Sequence, residues 1–130
     1  MKKILIVEDD AILRDFVVKI LKDKYEIREA SSSEEASEIL KSYKPDLILL
    51  DVMMEDTTSG FNFARNIKEE ENFKDVKIII TTSIDKELNI DFKKEAGNET
   101  WLPVDDYIVK PIDPQKLLEK INNLLSPSRK

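Results

Sequence analysis

Four stretches of this chain carry side chains able to do chemistry, and each closes an apolar run. Glu8, Asp9 and Asp10 follow "KILIV", Asp51 follows "LILL", Thr81, Thr82 and Ser83 follow "KIII", and Lys110-Pro111 follows "YIV". The 130 residues include no histidine and no cysteine. A histidine base, a Ser-His-Asp triad, a zinc site built on His or thiolate and a disulfide framework are therefore excluded. Gly60 and Gly97 are the two glycines, so neither G-x-G-x-x-G nor a P-loop can be written. Carboxylates, hydroxyls, lysine and backbone remain. Carboxylates gathered at one edge repel by several kcal/mol per close pair at an effective dielectric of about 20. A divalent cation relieves that repulsion. An all-oxygen donor set selects magnesium, calcium or manganese, and a site with few carboxylates that also takes a phosphate suits magnesium best, with manganese as a substitute.

The elements that must position these groups alternate between strand and helix. "KILIV" (3–7) reads as a strand, and Ile12, Phe16, Val17, Ile20 and Leu21 then recur at helical spacing. "YEIREA" (25–30) mixes polar and apolar residues as an edge strand does, and Ser33 is expected to cap a helix carrying Ala36, Ile39 and Leu40 inward. Pro45 separates that helix from "DLILL" (46–50), whose Leu47 to Leu50 form an unbroken apolar run suited to a strand covered on both faces. A third helix is expected over about 61–70, and "VKIIIT" (76–81) is β-branched as strands are. A fourth helix is expected over 86–96, stopped by Gly97. "DYIVKP" is the last strand and its exit. Asp113-Pro114 then opens a helix carrying Leu117, Leu118, Ile121, Leu124 and Leu125 inward. Five βα units predict a single α/β domain, a doubly wound parallel sheet with helices on both faces. In such sheets ligands sit beyond the carboxyl ends of the strands, where all four reactive stretches fall.

Composition narrows the partners. Apolar residues make up 41% of the chain and charged residues 37%, with a net charge of −6, which argues against a binder of nucleic-acid backbone. No stretch is long enough to span a membrane, and the first residues lack a signal-peptide pattern, so a cytoplasmic location is expected.

In this order, "ILIVEDD", "DLILLDVMM", "IITTS" and "YIVKP" resemble the receiver domain of bacterial two-component response regulators, over essentially the whole chain. The resemblance implies a flavodoxin-like (βα)5 fold with strand order 2-1-3-4-5. It implies a receiver domain over 1–125, followed by a short frayed tail, 126–130. It implies that Asp51 accepts a phosphoryl group, and that Glu8, Asp9, Asp51 and the backbone carbonyl of Met53 hold Mg2+ (or Mn2+). It further implies that Thr82 turns its hydroxyl toward the phosphoryl group, that Lys110 pairs with the phosphoryl oxygens and precedes a cis bond to Pro111, and that Tyr107 is the switch aromatic. The implied partners are a histidine kinase or phosphotransfer protein and a downstream protein target or output domain, with a phosphorylation-dependent dimer as an option. No direct DNA binding is expected, because no DNA-binding element follows the last helix. Asp10, by contrast, reads as an ordinary start to the first helix.

Three departures from the family pattern stand out. Glu55 occupies the place where the family has proline, and the loop to Gly60 is about one residue longer than the family's by motif spacing. "GNETWLPVDDY" adds about six residues before the last strand and carries Trp101, the single tryptophan, read as packing on the fourth helix rather than anchoring a partner. Met53 and Ile84 flank the site with side chains that cannot orient water, which predicts slow loss of a bound phosphoryl group. Other readings are weaker. A phosphatase of the haloacid dehalogenase type needs a second acid where Met53 stands. A flavodoxin-like FMN site would place "DTTSG" after the first strand rather than the third. A receiver that works unphosphorylated would not need every acid, hydroxyl and lysine that this chain retains.

Overall fold

The computed structural model describes residues 1–51, 57–82 and 104–125. Five strands, β1 (Lys3–Val7), β2 (Glu26–Ala30), β3 (Leu47–Asp51), β4 (Lys77–Thr82) and β5 (Asp106–Val109), form one all-parallel sheet in the order β2-β1-β3-β4-β5. The helices are α1 (Ala11–Leu21), α2 (Ser33–Leu40), α3 (Thr57–Glu69) and α4 (Pro114–Leu125), with a 3-10 turn at Glu71–Phe73. The predicted fourth helix over 86–96, Gly97, Trp101, Ile84, Met53, Glu55 and the 126–130 tail lie outside the described residues.

Strand alternation divides the core in two. Leu5, Val7, Ile48, Leu50, Ile78 and Ile80 pack with Ala36 and Leu40 of α2 and with Phe63, Ala64 and Ile67 of α3. Ile4, Ile6, Leu47, Leu49, Ile79 and Ile108 pack on the other face with Val17 and Leu21 of α1 and with Leu117 and Ile121 of α4. Each buried Leu or Ile contributes about 1.5–3 kcal/mol relative to exposure. All five residues of β3 are buried, as an uninterrupted apolar run between two helical layers requires, whereas β2 at the edge is mostly exposed.

Several boundaries depart from the sequence expectation. Ser32, not Ser33, caps α2: its Oγ accepts from the Glu35 amide at 3.0 Å, and Ser33 is the first helical residue. The S-x-x-E spacing of Ser32 and Glu35 selects the earlier serine. α3 begins at Thr57, four residues ahead of expectation, so Thr57 to Gly60 are helical although their types read as loop. Ile12 and Phe16 share one stripe of α1, but it faces outward, with Ile12 84% and Phe16 41% exposed. Val17 and Leu21 fill the core instead, with Leu13 packed against them. Asp10 caps α1, accepting from the Ile12 and Leu13 amides at 3.0 and 3.2 Å, and Asp113 opens α4, accepting from Gln115 at 3.0 Å.

Candidate functional site

Register brings the reactive groups together. Val7 pairs with Leu50, so the next residues, Glu8 and Asp51, leave neighbouring strands side by side. Asp51 pairs with Thr81, and Thr82 pairs with Val109, so Thr82 and Lys110 lie at adjoining strand ends. The Lys110 amide donates to the Thr82 carbonyl at 2.7 Å, tying those ends, and the Lys110-Pro111 peptide is cis, as expected.

Among the described residues, Glu8, Asp9 and Asp51 each offer a carboxylate oxygen within 4.8 Å of the others. Glu8 and Asp51 are buried, with 5% and 3% of their surface exposed, while Asp9 opens to solvent. Lys110 Nζ bridges the two buried acids, 3.2 Å from Asp51 Oδ2 and 3.3 Å from Glu8 Oε1. Burial pushes the Glu8 carboxyl up to about 7, helped by a hydrogen bond and by the nearby charge of Asp51; the Asp10 amide and Lys110 pull the other way without prevailing. Burial also works to lower the Lys110 pKa, but attraction to Asp51 and Glu8 outweighs it and the group titrates above the ordinary lysine range. A carboxyl driven toward its protonated form by burial and then by a neighbouring acid is a place where a divalent cation substitutes for a proton. With hard oxygen donors and no nitrogen or sulfur, the set fits magnesium or manganese.

Thr82 is completely buried, and its hydroxyl finds no hydrogen-bond partner among the described residues. A buried polar group without a partner costs about 1–3 kcal/mol and calls for an explanation. Alternation along β4 sets Thr82 on the face of Ile78 and Ile80, and Tyr107, half-buried, packs against that face opposite Ile80. The structure thus brings together Glu8, Asp9, Asp51 and Lys110, with Thr82 and Tyr107 on the neighbouring strands, whereas Met53 falls outside the described residues. Sequence reasoning missed Arg14, whose guanidinium donates to the Glu8 carbonyl. Its signal was an arginine one turn into α1, directly behind the acids.

Parallel strands, helices on both faces and polar side chains gathered beyond the strand ends define the class of doubly wound α/β domains that bind ligands at that edge. The model of the response regulator receiver domain matches residues 4–122, and the chain belongs to that family. It is 38% identical to the phosphate regulon transcriptional regulatory protein PhoB of Pseudomonas aeruginosa over 125 residues, which are 95% of this chain and 52% of that protein. The chain thus spans about half the length of PhoB. It is 32% identical to the chemotaxis protein CheY of Halobacterium salinarum, covering 96% of this chain and 98% of CheY. Among solved structures, the response regulator TrrA of Thermotoga maritima, in complex with Mg2+-BeF, is 31% identical with a TM-score of 0.77, over 96% of this chain and 100% of TrrA. Among the described residues no helix is long and apolar enough to cross a membrane.

Proposed function

We propose that Asp51 accepts a phosphoryl group from a phosphohistidine on a histidine kinase or phosphotransfer protein, and that the resulting acyl phosphate biases a protein-binding surface. The observation that carries this reading is the Lys110 ammonium held 3.2 Å from the Asp51 carboxylate, which clusters with Glu8 and Asp9, at the edge of a receiver-family sheet. Phosphoryl transfer runs through a loose transition state, so positioning and charge neutralisation do most of the work. An Asp51 oxygen forms the new bond to phosphorus as the bond to the donor nitrogen breaks. Lys110 supplies positive charge to the equatorial oxygens. Glu8, Asp9 and Asp51, joined on the family resemblance by the Met53 carbonyl, would hold Mg2+ or Mn2+, which neutralises charge on the transferring group.

The acyl phosphate carries roughly two negative charges if it resembles a phosphorylated side chain. The unpartnered Thr82 hydroxyl supports a role as its hydrogen-bond donor, and the placement of Tyr107 on the same face supports its role as the responding aromatic. The output is contact with a downstream protein, an output domain or a second copy of the domain, in the cytoplasm, through a receiver of residues 1–125. Incubation with Mg2+ and acetyl phosphate is expected to add the mass of one phosphoryl group, and Asp51→Ala to abolish the gain. An unchanged gain in Asp51→Ala, or none in the unaltered protein, would overturn the proposal.

A further inference from the structure

We infer that Arg14 is a positioning residue that sets the acidic turn for cation binding, an inference that rests on reading Glu8, Asp9 and Asp51 as the cation's ligands. Arg14 stands one turn into α1, its amide bonded to the Asp10 carbonyl at 2.8 Å. Its guanidinium reaches back over the β1–α1 turn. Nη1 donates to the Glu8 carbonyl at 2.6 Å, and Nε donates to Glu29 Oε1, at the end of β2, at 3.1 Å. The Glu8 amide in turn donates to the Ala30 carbonyl at 2.9 Å. The Glu8 main chain is therefore gripped on both sides, by β2 through its N–H and by α1 through its C=O. Its carboxylate leaves from a backbone with little freedom to turn away from Asp51.

The Arg14 side chain is four-fifths buried, and among the described residues it donates to the Glu8 backbone carbonyl and to Glu29, not to a carboxylate of the acidic cluster. It thus places a positive charge behind the cluster without occupying a ligand atom. Glu29 aims the planar fork so that one face of the guanidinium can serve Glu8. Lysine keeps the charge but presents no rigid fork able to hold two acceptors in fixed directions. Charge and orientation are therefore separable by substitution.

The test is Mg2+ titration calorimetry on the full chain, unaltered and as Arg14→Ala, Arg14→Lys and Glu29→Gln, beside melting curves in EDTA. Loss of a group that supports a metal ligand weakens affinity by about 10- to 100-fold. Arg14→Ala and Arg14→Lys are expected to fall in that range, Glu29→Gln to lose less, and phosphorylation by acetyl phosphate to recover at high Mg2+. If Arg14→Ala does not fold, Arg14→Lys and Glu29→Gln carry the test. Wild-type affinity in Arg14→Lys would overturn the positioning role. So would affinity losses that merely track the fall in melting temperature across the variants. Absence of Mg2+ binding by the unaltered chain, by contrast, would overturn the ligand assignment itself, and the role of Arg14 with it.

Discussion

Glu8 shows how one side chain links stability to ligand binding. Its pKa rises from the ordinary 4.5 to about 7 in the folded protein, chiefly through burial and then through Asp51. Between those values the native state holds a proton that the unfolded state has released, so stability falls as pH rises through the window. The penalty is absent below about 4.5 and complete above about 7. Divalent cations compete with that proton, so Mg2+ affinity is expected to strengthen from pH 6 to pH 8. Glu8→Gln keeps the shape and can donate to Asp51 without charge. In EDTA at pH 8 it is expected to be more stable than the unaltered protein by about 1–2 kcal/mol, a gain that disappears by pH 5. Denaturant titrations at both pH values check this, and an equal difference at the two would assign the effect to packing. The same variant should bind Mg2+ poorly. The candidate acids were legible because each ends an apolar run and no histidine or cysteine competes for the role. Arg14 was not, since its meaning lies in a carbonyl that no side-chain pattern displays.

Elements were legible where burial dictates composition. The run Leu47 to Leu50 can only be comfortable between two layers, and it is the central strand. Boundaries were less so, because local preferences there are weak and tertiary contacts choose among them. Two adjacent serines both suit a cap, and Thr57 to Gly60 read as loop yet are helical. The join between β4 and β5 was also invisible in sequence. Asp105 Oδ2 accepts from the Ile78 amide at 2.8 Å and from Lys68 Nζ at 3.1 Å, while Lys68 also donates to the Val76 carbonyl at 2.8 Å. This fastens the end of α3 to the starts of both strands, across 37 residues of chain between Lys68 and Asp105. Asp105→Ala strips the Ile78 amide of its acceptor and leaves the half-buried Lys68 ammonium only the Val76 carbonyl, and is expected to cost about 1–3 kcal/mol. Chemical denaturation reads that loss, and Mg2+ affinity should hold, because the acid cluster lies at the opposite end of the strands. A variant that loses cation binding at unchanged stability would contradict this division of labour.

At the scale of the whole molecule the question is how one added group redirects a surface. Moving a two-state equilibrium from 1:99 to 99:1 takes about 5.5 kcal/mol of differential affinity. A hydrogen bond from Thr82 to a charged phosphoryl oxygen supplies about 1.5–3 kcal/mol. The hydroxyl therefore shifts the balance by roughly 10- to 150-fold at 1.4 kcal/mol per tenfold, and the rest must come from charge pairing with Lys110. Because the Thr82 hydroxyl has no partner among the described residues, the bond replaces nothing already made there, so its value is not discounted. Tyr107 packs on the face toward which Thr82 points, and it also lies 5.8 Å from the Lys120 ammonium, so any repacking is felt at β5 and α4 together. Thr82→Ala should thus still gain a phosphoryl group on Asp51 while its ratio of responding to resting states falls by about one to two orders of magnitude. Thr82→Ser should retain most of the response. Amide and ring resonances of Tyr107, followed as Mg2+ and acetyl phosphate are added, separate the two effects. If Tyr107 in phosphorylated Thr82→Ala moves as far as in the unaltered protein, the coupling runs through Lys110 and the sheet edge alone.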